Sequence, residues 1–421
     1  MNMAIVSLVV LAAVVATGFI KKVNIGFLSI GAAVFLGLTG NMTTKQIVAG
    51  FDSSLFVTLV GVTFLFGLAS VNGTLDLMSK KIIALVGNKT FLIPIMMFVL
   101  SAFISAIGPG HIATGILMTT FAVYLALEMD INPFATALYA KLGANAGCAS
   151  PLSMTGVLAR SLAEPLGYEG FGLHLFLTTL LSGTLFTVIV YIAYKGYRVK
   201  AENPLKLSEI PRFNRQQMTT MVVMVVLVVC CIGFKLDVGL FAFAAGSLLV
   251  LLGCVDEKKA IKGIPWGTLI LIVGVGLLVN VITELGGIAL ISDFLISLMN
   301  EHTAVPIMAA TSGILSWVSS TTGVVMPTMY PIAADIAKNF NGSVGFVELI
   351  SAITATSFSA AISPLSTGGA IIISSYSAAT DLDTVSQNKL FRTLFLLSAA
   401  NVLLNVVLAA FGVFNLFGMF Y

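Results

Sequence analysis

The chain has 421 residues, 58% of them apolar and only 9% charged, with a mean hydropathy of +1.05. A soluble domain carries about 25% charged residues, so a soluble enzyme is excluded. So are a disordered chain and a coiled coil, and 21 Lys+Arg against 18 Asp+Glu leave a charge of +3, too weak a footprint for nucleic-acid binding. At about 20 residues per crossing, the length suits an all-α polytopic membrane protein of about ten spans plus re-entrant pieces.

In chain order, apolar segments suited to helices run over Ala4–Ile20, Ile25–Leu38, Leu55–Val71, Phe91–Ile107, Ile112–Leu127, Phe134–Leu162 and Phe171–Tyr194. The first follows Met1-Asn2-Met3 with no basic region before it, and Lys21-Lys22 come after it, so it reads as a retained span rather than a signal peptide. A polar linker from Lys195 to Gln217 follows. The pattern then begins again with Met218–Phe234, Val238–Leu252, Trp266–Thr283, Val305–Val318, Val324–Ala337, Val347–Ala379 and Leu390–Phe417. Cys148, Cys230, Cys231 and Cys254 lie in or beside these runs without metal-ligand spacing and read as small buried apolar residues.

Residue identities make the recurrence a duplication. Gly50, Gly61, Gly73, Gly156 and Ser150-Pro151-Leu152-Ser153 return 213 positions later as Gly263, Gly274, Gly286, Gly369 and Ser363-Pro364-Leu365-Ser366, and Pro94 returns at Pro306. Small residues are common in membrane helices; that explains single glycines but not a repeated tetrapeptide. If Phe91–Ile107 with Ile112–Leu127, and Val305–Val318 with Val324–Ala337, are re-entrant hairpins, each half crosses five times and the two repeats are inverted.

Charge supports that count. With the N-terminus outside, sixteen of the 21 basic residues fall in inside loops, Lys45, Arg160, Lys235 and Lys338 fall outside, and Lys141 stays within the membrane. Two amphipathic stretches, Leu75–Val86 and Ile288–Met299, precede the hairpins and read as interfacial helices. They divide the chain into a scaffold part of the first repeat (1–88), a hairpin-bearing part (89–200), a cytoplasmic linker (201–217), a second scaffold part (218–300) and a second hairpin-bearing part (301–421).

Breaks at membrane depth occur where protein or a watery cavity supplies backbone partners. Four stand here: Gly108-Pro109-Gly110-His111 and Ser319-Ser320-Thr321-Thr322-Gly323 at the hairpin tips, and Ser150–Gly156 and Ser363–Gly369 in the long helices that follow. Each frees carbonyls for a small hard cation and N–H groups for an anion. The cation candidates are Gly108, Asn145, Ser150, Ser319, Ser359 and Ser363. The anion candidates are Gly110, His111, Ser153, Thr155, Ser320, Thr321, Thr322, Ser366 and Thr367, with the hydroxyls expected around one central cavity. One such break alone more often marks close helix packing; two symmetric pairs point to a transporter's central site.

These residues resemble the divalent anion/sodium symporter family of the ion transporter superfamily, and within it the dicarboxylate carriers of the malonate-carrier (MatC) type, over nearly the whole chain. The resemblance implies a homodimer in the cell inner (plasma) membrane with an elevator-type mechanism, carrying a small carboxylate such as malonate or succinate. Coupling would be to sodium, with protons as the other candidate. Family tips carry Ser-Asn-Thr; here the second reads Ser320-Thr321-Thr322 and the first Gly108-Pro109-Gly110-His111, neither with the asparagine.

Two ionisable residues stand near the breaks. His111 is open to two readings, a carboxylate-binding or proton-coupling group, or a histidine held by local carbonyls. Lys141, eight residues past Pro133 and roughly 12 Å along a helix, either reaches the site as a counter-charge or, the reading the sequence favours, snorkels toward the cytoplasmic surface. His174 and His302 read as structural. A cation/proton antiporter of the same superfamily would carry mid-membrane carboxylates, whereas Asp and Glu here fall almost entirely at span ends. An intramembrane enzyme would show a metal-binding pair or a triad, which three scattered histidines do not make.

Overall fold

The structure, a computed structural model, describes every residue except 1–2, 22, 52, 202–206, 235, 265, 318, 380–383 and 419–421. Met1, Asn2, Lys22, Lys206, Lys235, Val318 and the side chain of Cys231, all used above, lie outside the described residues.

The described residues are helical, with no strand among them. The first half begins with α1 (Met3–Lys21), α2 (Ile25–Thr39), α3 (Thr44–Val48), α4 (Ser53–Val71) and α5 (Thr74–Ala84). It continues with α6 (Ile93–Ala106), α7 (Gly110–Glu128), α8 (Pro133–Gly147), α9 (Met154–Ala163) and α10 (Gly172–Ala193). The second half repeats the order: α11 (Arg215–Phe234), α12 (Val238–Leu251), α13 (Glu257–Gly263), α14 (Trp266–Glu284) and α15 (Gly287–Ser297). It ends with α16 (Ala304–Trp317), α17 (Met326–Asn339), α18 (Phe346–Ala360), α19 (Thr367–Ala379) and α20 (Thr384–Ala410).

The duplication read from residue identities is present in the helix boundaries. Helices that begin at 25, 53, 74, 133 and 154 have partners that begin 213 positions later, at 238, 266, 287, 346 and 367. The amphipathic stretches form α5 and α15, turned from the preceding helices by 67° and 77°. At each turn sits one of the repeated glycines, Gly73 with φ 73° and Gly286 with φ 79°, a region closed to most side chains. Of the apolar face expected at the interface, Leu75, Ile288 and Leu295 are buried against the protein, and Leu85 and Leu298, just past the helix ends, are exposed. The short α3 and α13, a second symmetric pair, were not anticipated.

Symmetry also explains other repeated glycines. A Cβ on Gly26 would collide with Ile270 O and Leu271 Cα, and one on Gly274 with Gly26 O. The mirror crossing has the same geometry: a Cβ on Gly239 would collide with the backbone of Thr58, and one on Gly61 with Gly239 O. Thus α2 lies directly on α14 and α12 on α4, backbone against backbone. In lipid, where apolar side chains gain little by leaving one apolar medium for another, such close packing is what holds helices together.

At the centre stand α8 and α18. Every residue of α8 from Ala135 to Gly147 is buried, and so is every residue of α18 except the half-buried Glu348. Both arms of the first hairpin, α6 and α7, pack along α8, and α16, α17 and α20 pack along α18. By length and apolarity alone, three described helices suffice to cross a membrane: α7, α10 and Lys389–Ala410 of α20, with the two bent pairs α4–α5 and α14–α15 making up to five. Shorter apolar helical stretches of 10–17 residues include Met3–Gly18, Ile25–Thr39, Ala304–Trp317 and Phe346–Ala360. So α7, expected as one arm of a re-entrant hairpin, is by itself long enough to span. Among the cysteines, Cys148 and Cys254 are buried as expected, but Cys230 is only half-buried, because its place on α11 does not face a packed neighbour throughout.

Candidate functional site

The two hairpin tips meet the broken helices. In the first half the tip residue Gly108 gives its carbonyl to the N–H of Met154, the first residue after the break, at 3.2 Å. Gly110 at that tip takes φ 68°, and a Cβ there would lie 3.2 Å from Met154 Cβ, so a glycine lets the tip close on the break. In the second half the Thr321 hydroxyl donates to Ser357 O at 3.2 Å, and Ser316 donates to the same carbonyl at 2.8 Å. That tip is a π-helical turn, Thr321–Val325, in which Val324 N and Val325 N both reach Ser320 O and the Ser320 side chain caps Gly323 N. Such turns frequently mark functional sites, and the sequence had shown only a run of small residues.

The Ser-Pro-Leu-Ser breaks have a common internal chemistry. Ser153 donates to Cys148 O and Ser366 to Ala361 O, each bond running back five residues. Leu152 N reaches Ser150 Oγ and Leu365 N reaches Ser363 Oγ, both at 3.3 Å. Gly156 and Gly369 follow because a Cβ at either would strike the carbonyl of Ser150 or Ser363. The repeated tetrapeptide therefore ends one helix and starts the next. Ser153 and Ser366 spend their protons on the break, whereas Ser150 and Ser363 accept from it.

Other candidates are similarly placed. Ser319 donates to Leu315 O at 2.6 Å. Ser359 donates to Ala355 O and accepts from Asn405 Nδ2 at 2.8 Å, with Asn405 in turn bound by Ser182 at 2.6 Å. Thr367 is exposed, while His111, Thr155, Thr321 and Thr322 are buried. His111 packs edge-on against Phe358 at 4.7 Å between ring centres, and its Nδ1 lies 3.5 Å from Thr155 Oγ1.

Asn145 and Lys141, one turn apart on α8, share a face. Asn145 donates to Phe358 O at 3.0 Å, which is the backbone of its own counterpart 213 positions on, so α8 and α18 cross here. Its Oδ1 is buried with no hydrogen-bond partner among the described residues. The same holds for the hydroxyls of Thr322, Thr114 and Thr356. Unsatisfied buried polar atoms are uncommon in a finished fold, and here several gather about the tips and breaks. Lys141 corrects the snorkelling expectation. It is 1% exposed and its Nζ donates to His111 O at 3.0 Å, because α8 is enclosed on all sides and leaves no route to the surface.

A cavity of about 610 Å³ leads inward between α4–α5 and α7. Asp76, Lys80 and Glu128 line one part of it and Pro109 and Thr114, at the first tip, another. Its walls are otherwise mostly apolar, among them Phe66, Leu75, Leu117, Phe121 and Tyr124.

Residues 2–356 match the family model described as citrate transporter. The crystal structure of the YdaH transporter of Alcanivorax borkumensis is similar at a TM-score of 0.58 and 12% sequence identity, covering 88% of each chain, which is a likeness of fold. A search of curated proteins gave no match. The helical architecture, with its bent pairs and apolar helices, thus matches the fold of the YdaH transporter. With more than four-fifths of its length matched, the chain belongs to the citrate transporter family.

Proposed function

We propose that the protein is a secondary active transporter of small di- or tricarboxylates, malonate, succinate and citrate being the first to try, driven by sodium and working by an elevator motion as a homodimer in the plasma membrane. The observation that carries this reading is that each hairpin bonds to the broken helix of its own half at the same place, Ser105 to Ala144 O in the first and Ser316 and Thr321 to Ser357 O, 213 positions on, in the second. Unpaired buried oxygens at Asn145, Thr322 and Thr356 supply coordination for a cation. Hydroxyls and backbone dipoles hold an anion loosely enough for it to leave, which several arginines would not. Movement of α7 against α4 would open and close the crevice between them.

The antiporter alternative finds no support: among the described residues no Asp or Glu is fully buried. Family membership and fold favour a transporter over an enzyme. The first experiment is a thermal-shift screen of malonate, succinate and citrate in sodium and in potassium. Stabilisation by at least one of them, larger in sodium, is expected. Equal melting temperatures with and without all three would count against the reading.

A further inference from the structure

We infer that Lys141 supplies the fixed positive charge of the transport site, its ammonium facing one carboxylate of the bound anion and taking in the first half the part that a co-transported cation takes in the second. The inference rests on the carboxylate-transport reading and adds to it the group that recognises substrate charge.

Lys141 is walled in by both halves of the molecule. A Cβ on Gly115 of α7 would stand 2.9 Å from its Nζ, and one on Gly368, at the start of α19, 2.8 Å from its Cε. Two glycines, one beyond the first tip and one beyond the second break, thus make room for the lysine tail. Of its three N–H donors, one is spent on His111 O. No carboxylate answers it: the ion pairs among the described residues are Lys80–Asp76 and Arg160–Glu164, both exposed. A buried cation without a counter-ion is costly, and an anion arriving beside the tip removes that cost.

The two halves differ at this point. The counterpart of Lys141, 213 positions on, is Thr354, a neutral residue whose hydroxyl pairs with that of Tyr330 at 2.8 Å. At this place the second half has a neutral residue where the first has a cation, and the Thr322 and Thr356 hydroxyls there lack partners among the described residues, as Asn145 Oδ1 and the Thr114 hydroxyl do in the first half. The first tip, meanwhile, is Gly-Pro-Gly-His and carries no hydroxyl. One half holds its charge covalently; the other must borrow it.

The test uses full-length purified protein and calorimetric titration with malonate and with monomethyl malonate. The wild type is expected to prefer the dianion at least tenfold, and Lys141→Met to lose most of that preference. A purely structural lysine would lower both affinities by the same factor and leave their ratio unchanged, which would overturn the inference. Should Lys141→Met not give monodisperse protein, Gly115→Ala decides: it keeps every charge but displaces a flexible ammonium, and malonate affinity is expected to fall at least fivefold, an unchanged affinity contradicting the inference. Malonate affinity should also rise no more steeply than the first power of sodium concentration; a second-power dependence would mean that no cation has been replaced. A wild type that binds neither malonate, succinate nor citrate overturns the carboxylate reading itself, whereas equal malonate binding by wild type and Lys141→Met overturns the lysine's role alone.

Discussion

At the centre of the molecule, hydroxyls of one chemical type divide into two groups by what they already bond. Ser153 and Ser366 donate to carbonyls within their own breaks, so Ser→Ala at either removes a bond worth about 0.5–1.5 kcal/mol and should lower stability first. Thr322 is different, since its buried hydroxyl has no partner among the described residues. Thr322→Val keeps the shape and removes a polar group that is costly to bury unbonded. Its melting temperature should therefore hold or rise, while its affinity for carboxylate or for sodium falls about two- to tenfold. Thermal melts alongside substrate titration check this; unchanged affinity would remove Thr322 from the site. The sequence showed these residues as polar breaks in apolar helices, because a run such as Ser-Pro-Leu-Ser stands out locally. It did not show which were free. That depends on contacts between segments far apart, as between Asn145 and Phe358 or Lys141 and His111.

At the level of helices, the glycine crossings make a stability prediction. A Val at Gly26 would force α2 away from Ile270 and Leu271 of α14, and overpacking of this kind costs about 1–3 kcal/mol or more. Gly239→Val, its mirror at Thr58, should cost a similar amount, whereas Gly31→Val, with open space around it, should not. Melting in detergent measures all three, and equal stability across them would refute the packing account. The crevice between α4 and α7 makes a second prediction. Cysteines at Ser70 and Thr120, both on its wall, joined by a short bifunctional reagent, should stop uptake and leave carboxylate binding measurable. Full transport by the linked protein would rule out relative movement of these helices. Helix order and the amphipathic α5 and α15 were legible because each is written in a local pattern, whereas Gly73 and Gly286 stood out only as repeated glycines. The five-residue α3 and the π turn at Thr321 were not, being too short to impose a period.

For the molecule as a whole, charge predicts the orientation in the membrane. With the N-terminus outside, sixteen of the 21 basic residues fall in inside loops, and that reading predicts the exposed Gln216 in the cytoplasm and the mouth of the crevice at Asp76, Lys80 and Glu128 on the same side. In a chain whose own cysteines are replaced, a cysteine at Gln216 should resist an impermeant thiol reagent in intact cells and react once the membrane is opened; labelling from outside would reverse the topology. The inverted repeat was legible in the 213-residue offset of its glycines. What it encloses was not: the sequence shows Lys141 where the other half has Thr354, but not that its ammonium turns inward to His111 O. The most direct measurement of the central claim is uptake of labelled malonate, succinate and citrate by the purified protein in sealed proteoliposomes. An inward sodium gradient should drive accumulation of at least one of them above its external concentration, and collapsing that gradient should abolish the accumulation; if none of the three accumulates under either a sodium or a proton gradient, the protein is not a carboxylate transporter.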